Sequence, residues 1–130
     1  MKKYLLASLG VFVAWAILDF VIHGLLLMDT YQSTASLWRP MEEMNMGLTY
    51  LVNALVALAF TGLYVYHGKG GGATAGLKFG LVYGLAVGLG MGFGTFLYMP
   101  IPYSLAWGWF LACVVKGAAG GWIAGRVART

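Results

Sequence analysis

Charge is what this sequence has least of. Only 9% of its 130 residues are Asp, Glu, Lys or Arg, where a soluble domain carries roughly 25%. With 61% of the chain hydrophobic, no folding arrangement covers the surface with polar groups, so its solvent is read as lipid. Cysteine is nearly absent. Cys113 stands alone, which excludes an intrachain disulfide, a cysteine-based zinc site and an iron–sulfur cluster. There is no C-x-x-C-H, which excludes covalent c-type haem. A net charge of +4 would suggest nucleic acid, but the 8 basic residues are scattered at the ends of apolar runs and form no stripe. A nucleophile–base pair is also missing. Ser8, Ser33, Ser36 and Ser104 have no convincing His or Asp partner in the sequence, so an enzyme is the least supported class.

What the chain does have is apolar length. A hydrocarbon core about 30 Å thick needs about 20 helical residues to cross it. The expected fold is therefore all-α: a polytopic membrane protein, one domain over 1–130, built as a four-transmembrane-helix bundle. Its helices are expected near 4–28, 40–67, 75–98 and 102–125, with a short outward-facing interfacial segment between the first two. Lys2, Lys3 and the Ala14-Trp15-Ala16 triplet imitate a signal peptide, but the apolar run continues to Met28, too long for a signal's hydrophobic region. We read it as a retained helix. With four crossings, Lys2, Lys3, Lys69, Lys78, Arg126 and Arg129 share one side, while Arg39 stands opposite with Asp29, Glu42 and Glu43. The positive side is normally cytoplasmic, so a bacterial inner membrane with both termini inside is expected. Residues 67–75 then form a flexible cytoplasmic turn.

Pro40 and Pro102 suit first positions of helices, where a missing N–H costs nothing. Glu42 and Glu43 would complement the dipole of a helix begun at Pro40 and projecting about two turns from the membrane. Tyr31, Trp38 and the tyrosines and tryptophans near helix ends suit the interfacial belt. Glycine is abundant and regular. Gly76, Gly80, Gly84, Gly88 and Gly92 recur every four residues, as do Gly117, Gly121 and Gly125. Small residues at that spacing let two membrane helices approach closely, so the third and fourth helices are expected to pack tightly. A groove for a flat cofactor or lipid tail and a pore lining are the alternatives.

Ionisable groups within the membrane are costly and mark functional sites by default. Asp19 and His23, four residues apart, share a helix face. Lys116 falls near mid-membrane, either snorkelling toward the cytoplasmic headgroups or meeting an internal partner. Asn53 reads as an interhelical hydrogen-bonding residue. These four form a structural network, a proton- or cation-coupling site centred on Asp19, or, through His23, a weak candidate ligand for haem b or copper. Copper would draw on the thioethers of Met28, Met41, Met44 or Met46, although an apolar helix face explains their spacing equally. No cofactor is required by the sequence. Trp38, Arg39, Glu42 and Glu43 are partner-docking candidates, since Trp and Arg are frequent hot-spot residues; a weak surface ion pair is the alternative.

Asp19-x-x-x-His23-Gly24, Tyr31-Gln32, Trp38-Arg39-Pro40, Gly76-Leu77-Lys78-Phe79-Gly80 and Pro100-Ile101-Pro102 together resemble small four-helix bacterial membrane proteins grouped in families without an assigned activity. The resemblance runs along nearly the whole chain and implies the class only. Small multidrug transporters share the length, an acid in the first helix and a glycine-rich third helix. Their antiparallel dimers need weak charge bias, and here the bias is strong. Small fluoride channels carry an arginine-bearing glycine motif near the N-terminus that this chain lacks. The expected function is a non-catalytic accessory or structural subunit packing against other membrane-protein subunits or itself within membrane lipid. A small oligomeric transporter using Asp19 and an electron-transfer subunit using His23 are the alternatives.

Overall fold

The computed structural model describes residues 1–67 and 71–128. Every regular element among them is helical, and four stretches are long and apolar enough to cross a membrane: Lys2–Leu26, Met46–His67, Gly72–Tyr98 and Tyr103–Val127. An even number of crossings puts the start of the first span and the end of the last at one face, the terminal face. The segment joining the first two spans lies at the opposite, distal face.

Helix α1 (Lys2–Val21) runs into a π turn at Ile22–Leu26, closed by the Leu27 N–H donating to the Ile22 carbonyl at 2.8 Å. Leu27 leaves the helix, so the expected 4–28 helix ends short and the chain folds back through α2 (Met28–Ser33) and a 3₁₀ turn at Ala35–Leu37. The second span departs further from expectation. Pro40 heads only the single 3₁₀ turn Met41–Glu43, Met44 is extended, and α3 (Met46–His67) begins six residues later than Pro40. The cause is Asn45, whose side-chain oxygen accepts the Leu48 N–H at 3.0 Å. Asparagine is among the strongest N-caps, and its cap fixes the helix start more firmly than Pro40 does. Glu42 and Glu43 thus precede the helix instead of lining its first turn, and no helix projects from Pro40.

Helix α4 (Gly72–Gly88) begins three residues before 75, at a glycine with φ +73°, a left-handed backbone that favours glycine. Lys69 of the expected turn and Arg129 lie outside the described residues. The third span continues through a second π segment, Leu89–Gly94, and α5 (Thr95–Tyr98); α6 (Tyr103–Val127) follows Pro102.

Helix α6 is the spine. It packs most extensively on α4, and on α1 along another side, while α3 leans on α1. The α4–α6 contact is made by glycine. Gly76, Gly80, Gly84 and Gly88 of α4, Gly92 of the π segment, and Gly117 and Gly121 of α6 are all buried. A Cβ added at Gly84 would stand 2.6 Å from the Cys113 carbonyl oxygen and 2.8 Å from the Val114 Cα; at Gly76 and Gly80 it would strike the Gly121 and Gly117 carbonyls. Only bare backbone allows this approach.

Two apolar clusters follow. Val11, Trp15, Ala57, Phe60, Tyr64 and Ala124 form the larger one, ringed by Phe12, Phe79 and Tyr83. At the distal face Ile101, Leu105 and Ala106 gather Leu27, Tyr31, Leu37, Trp38 and Trp109. The intramembrane polar groups lie between the clusters. Helix α3 joins the larger cluster through Ala57, Phe60 and Tyr64, with Thr61 buried beside them; Met46–Val52, its first two turns, are exposed.

Candidate functional site

The buried stripe of α1 passes through Ser8, Val11 and Trp15 and reaches Asp19 and His23 at helical spacing. On α6, Trp109 and Lys116 sit two turns apart on one face. Side chains of a helix lean toward its N-terminus, and the N-terminus of α6 is at the distal face. The Lys116 stem is therefore directed toward Asp19 and away from the terminal-face headgroups. Its ammonium nitrogen lies 2.8 Å from Asp19 Oδ1, with the two side chains 23% and 25% exposed. The pair joins α1 to α6 within the bilayer. The ammonium approaches off the line that a hydrogen bond needs, so Oδ1 holds an ion pair and no aligned donor.

Trp15 completes the cradle. Its indole N–H donates to the Lys116 carbonyl at 2.7 Å, and the Lys116 ammonium lies 5.4 Å from the centre of its ring, within cation–π range. Gly120 makes room for that indole, since a Cβ there would stand 2.8 Å from Trp15 Nε1. Beside the ammonium is a hollow of about 90 Å³, lined by Trp15, Val56, Tyr83, Val87, Cys113, Lys116 and Gly117.

Toward the distal face the column continues through His23. Its Nε2 lies 3.8 Å from the same Asp19 Oδ1 that faces Lys116, and its Nδ1 lies 2.6 Å from the Tyr31 hydroxyl. Trp109 donates its indole N–H to that hydroxyl oxygen at 2.6 Å. An indole N–H only donates, so the Tyr31 oxygen accepts there and its own O–H is free to donate to Nδ1. With Tyr31 donating, neutral His23 carries its ring proton on Nε2, the tautomer that turns an N–H toward the Asp19 carboxylate. Burial pushes the Tyr31 phenol above its usual pKa, against the Trp109 hydrogen bond and together with the negative charge of Asp19. Tyr31 thus stays a protonated donor at neutral pH. Trp38 closes the end: its N–H donates to Thr34 Oγ1 at 2.9 Å, and its ring contacts those of Tyr31 and Trp109. His23 itself sits inside the π turn, a feature frequent at functional positions in helices.

No protein-family model, curated protein or solved structure matches the chain. The functional reading rests on this geometry.

The structure brings Asp19, His23 and Lys116 together and leaves Asn53 out. Asn53 lies one turn above Ala57 on the inward stripe of α3, half-buried, and among the described residues no hydrogen bond reaches its carboxamide. The docking candidates differ in exposure. Trp38 is folded into the distal cluster, whereas Arg39, Glu42 and Glu43 are exposed and form no ion pair among the described residues. A haem or copper at His23 would compete with Tyr31 at Nδ1 or face Asp19 at Nε2. Tyr31 and Trp109 suit the interfacial belt by sequence, and Trp15 stands there only in the triplet that imitates a cleavage site, yet all three hold the column. Trp15 was findable, four residues before Asp19 on the same face. Tyr31 was not, because it returns over the helix end through a break at Leu27 that no local pattern announces.

Proposed function

We propose that this chain is a non-catalytic subunit of the bacterial cytoplasmic membrane, with both termini inside, that completes its bundle by packing α3 against another membrane protein or a second copy. The observation that carries the reading is the bare distal half of α3, which bears the unpaired Asn53 carboxamide. An unsatisfied amide in hydrocarbon costs several kcal/mol, and polar side chains at membrane helix interfaces bond across helices. The orientation is supported by Lys2, Lys3, Lys78 and Arg126 at the terminal end against Arg39 at the distal end. Mild extraction followed by native mass measurement tests it. An assembly, either of copies or with a second protein, is expected; a lone monomer carrying only lipid overturns the reading.

A second reading is small-solute or proton-coupled transport at Asp19, favoured by the Asp19–Lys116 pair beside the hollow. Flux into proteoliposomes should then fall when Asp19→Asn replaces the wild type; equal flux removes this reading.

A further inference from the structure

One carboxylate oxygen faces two bases. Asp19 Oδ1 holds Lys116 at 2.8 Å from α6 and sees His23 Nε2 at 3.8 Å from its own helix. The first is an ion pair. The second is longer than a hydrogen bond and becomes an ion pair only when the imidazole gains a proton. The groups are not equivalent in their surroundings. Lys116 is deep, over the Trp15 ring, whereas the His23 side chain is 37% exposed near the distal end and continues into Tyr31. A proton arriving from the distal face therefore meets His23 before it meets Asp19.

We propose that His23 is a proton-binding switch read from the distal face: when protonated it takes Asp19 from Lys116 and loosens the tie between α1 and α6.

The hydrogen-bond polarity sets how the switch turns. In neutral His23 the Tyr31 O–H donates to Nδ1. One proton from distal water adds to Nδ1, and no other bond to hydrogen is lost. Nδ1–H must then donate to the Tyr31 oxygen, which already accepts from Trp109, so the phenol hydrogen turns away. The positive ring pulls Nε2–H onto Asp19 Oδ1, closing a gap of about 1 Å beyond hydrogen-bond length, a displacement that a turn of the His23 ring about its side-chain torsions covers. Asp19 then stands between two cations. Each gains less from the carboxylate than it would alone, and the Lys116 ammonium shifts from Asp19 toward the face of the Trp15 ring, which lies 5.4 Å away beside the hollow. The charges acting on His23 are Asp19 from α1 and Lys116 from α6; the other titratable group against it is Tyr31 of α2, and among the described residues α3 and α4 add none. Protonation of Asp19 itself would leave Lys116 without a counter-charge, whereas a proton on His23, nearer the distal end, keeps the carboxylate ionised between the two cations.

The test uses the full chain in lipid vesicles with isotope-labelled Asp, His and Lys. Magnetic-resonance dipolar couplings from Asp19 Cγ to Lys116 Nζ and to His23 Nε2 are read at about pH 8 and about pH 5, the range in which histidines titrate. A strong Asp19–Lys116 coupling that is lost at the lower pH, with gain of the Asp19–His23 coupling, is the expected result. In His23→Gln the Asp19–Lys116 coupling should persist at both pH values. Tyr31→Phe provides a second variant if His23→Gln does not fold; it removes the partner of Nδ1 in both protonation states and should leave the exchange of the two couplings in place, because that exchange runs through Nε2 and Asp19. A ring that stays neutral throughout, or one that titrates while the Asp19–Lys116 coupling is unchanged, overturns the proposal.

Discussion

Lys116 shows how one residue's surroundings decide its role. A lysine mid-membrane is tolerable only if it reaches headgroups or a counter-charge, and the lean of α6 side chains toward the distal face selects Asp19. Removing one partner of such a pair strands the other. Lys116→Met should therefore lower stability by about 3 kcal/mol or more, while Asp19→Asn combined with Lys116→Met should recover most of that loss. Denaturant unfolding in micelles would measure the cycle, and simple additivity of the two single changes would speak against a functional pair. Gly120 carries a second prediction. Its place beside Trp15 Nε1, itself fixed by a 2.7 Å bond to the Lys116 carbonyl, leaves no direction for the indole to yield. Gly120→Ala should cost about 1–3 kcal/mol through overpacking, visible in the same unfolding assay. A Gly120→Ala protein as stable as the wild type would mean that Trp15 is free to move. Asp19, His23 and Lys116 were all legible in the sequence because a charge in an apolar run stands out by contrast. An Asp19–Lys116 pair is one of the arrangements the sequence leaves open, since the choice depends on which way two helices lean once packed.

At the level of elements, the four-residue glycine period was the most readable feature, because packing by small residues is written into one helix face and needs no knowledge of the rest. The structure adds which glycines matter. A methyl at Gly80 runs into the Gly117 carbonyl, backbone against backbone, whereas a methyl at Gly90 meets nothing within 4 Å. Gly80→Ala should force α4 and α6 apart and destabilise by about 3 kcal/mol. Gly90→Ala should be neutral or, through better helix propensity, stabilising by up to about 1 kcal/mol. Equal effects of the two would show that the period is compositional and not a contact. The start of α3 was harder to read because two signals competed six residues apart. Proline at a first helical position is permissive, but Asn45 makes an actual bond to the Leu48 N–H, and the bond prevails. The distal column was hardest, since the π turn and the break at Leu27 carry Tyr31 back over His23 through tertiary contacts alone.

For the whole molecule, the uneven use of α3 governs the expected behaviour. Its terminal half is built into the aromatic cluster, while its distal half touches lipid or a neighbour with Asn53 on the stripe that faces inward one turn below. In the isolated chain that carboxamide has no partner among the described residues, so replacing it with an apolar side chain removes a desolvation cost of about 1–3 kcal/mol. In an assembly it donates and accepts across the interface, and the same replacement removes bonds. Asn53→Val should therefore act in opposite directions on two measurements: raising the unfolding midpoint of the monomer in detergent, and shifting the native mass from assembly toward monomer in a mild lipid environment. A structural amide satisfied inside one chain would lower both. An amide facing only lipid would raise the midpoint and leave the mass unchanged, and in that case the bare half of α3 is a lipid-facing surface and the subunit reading falls.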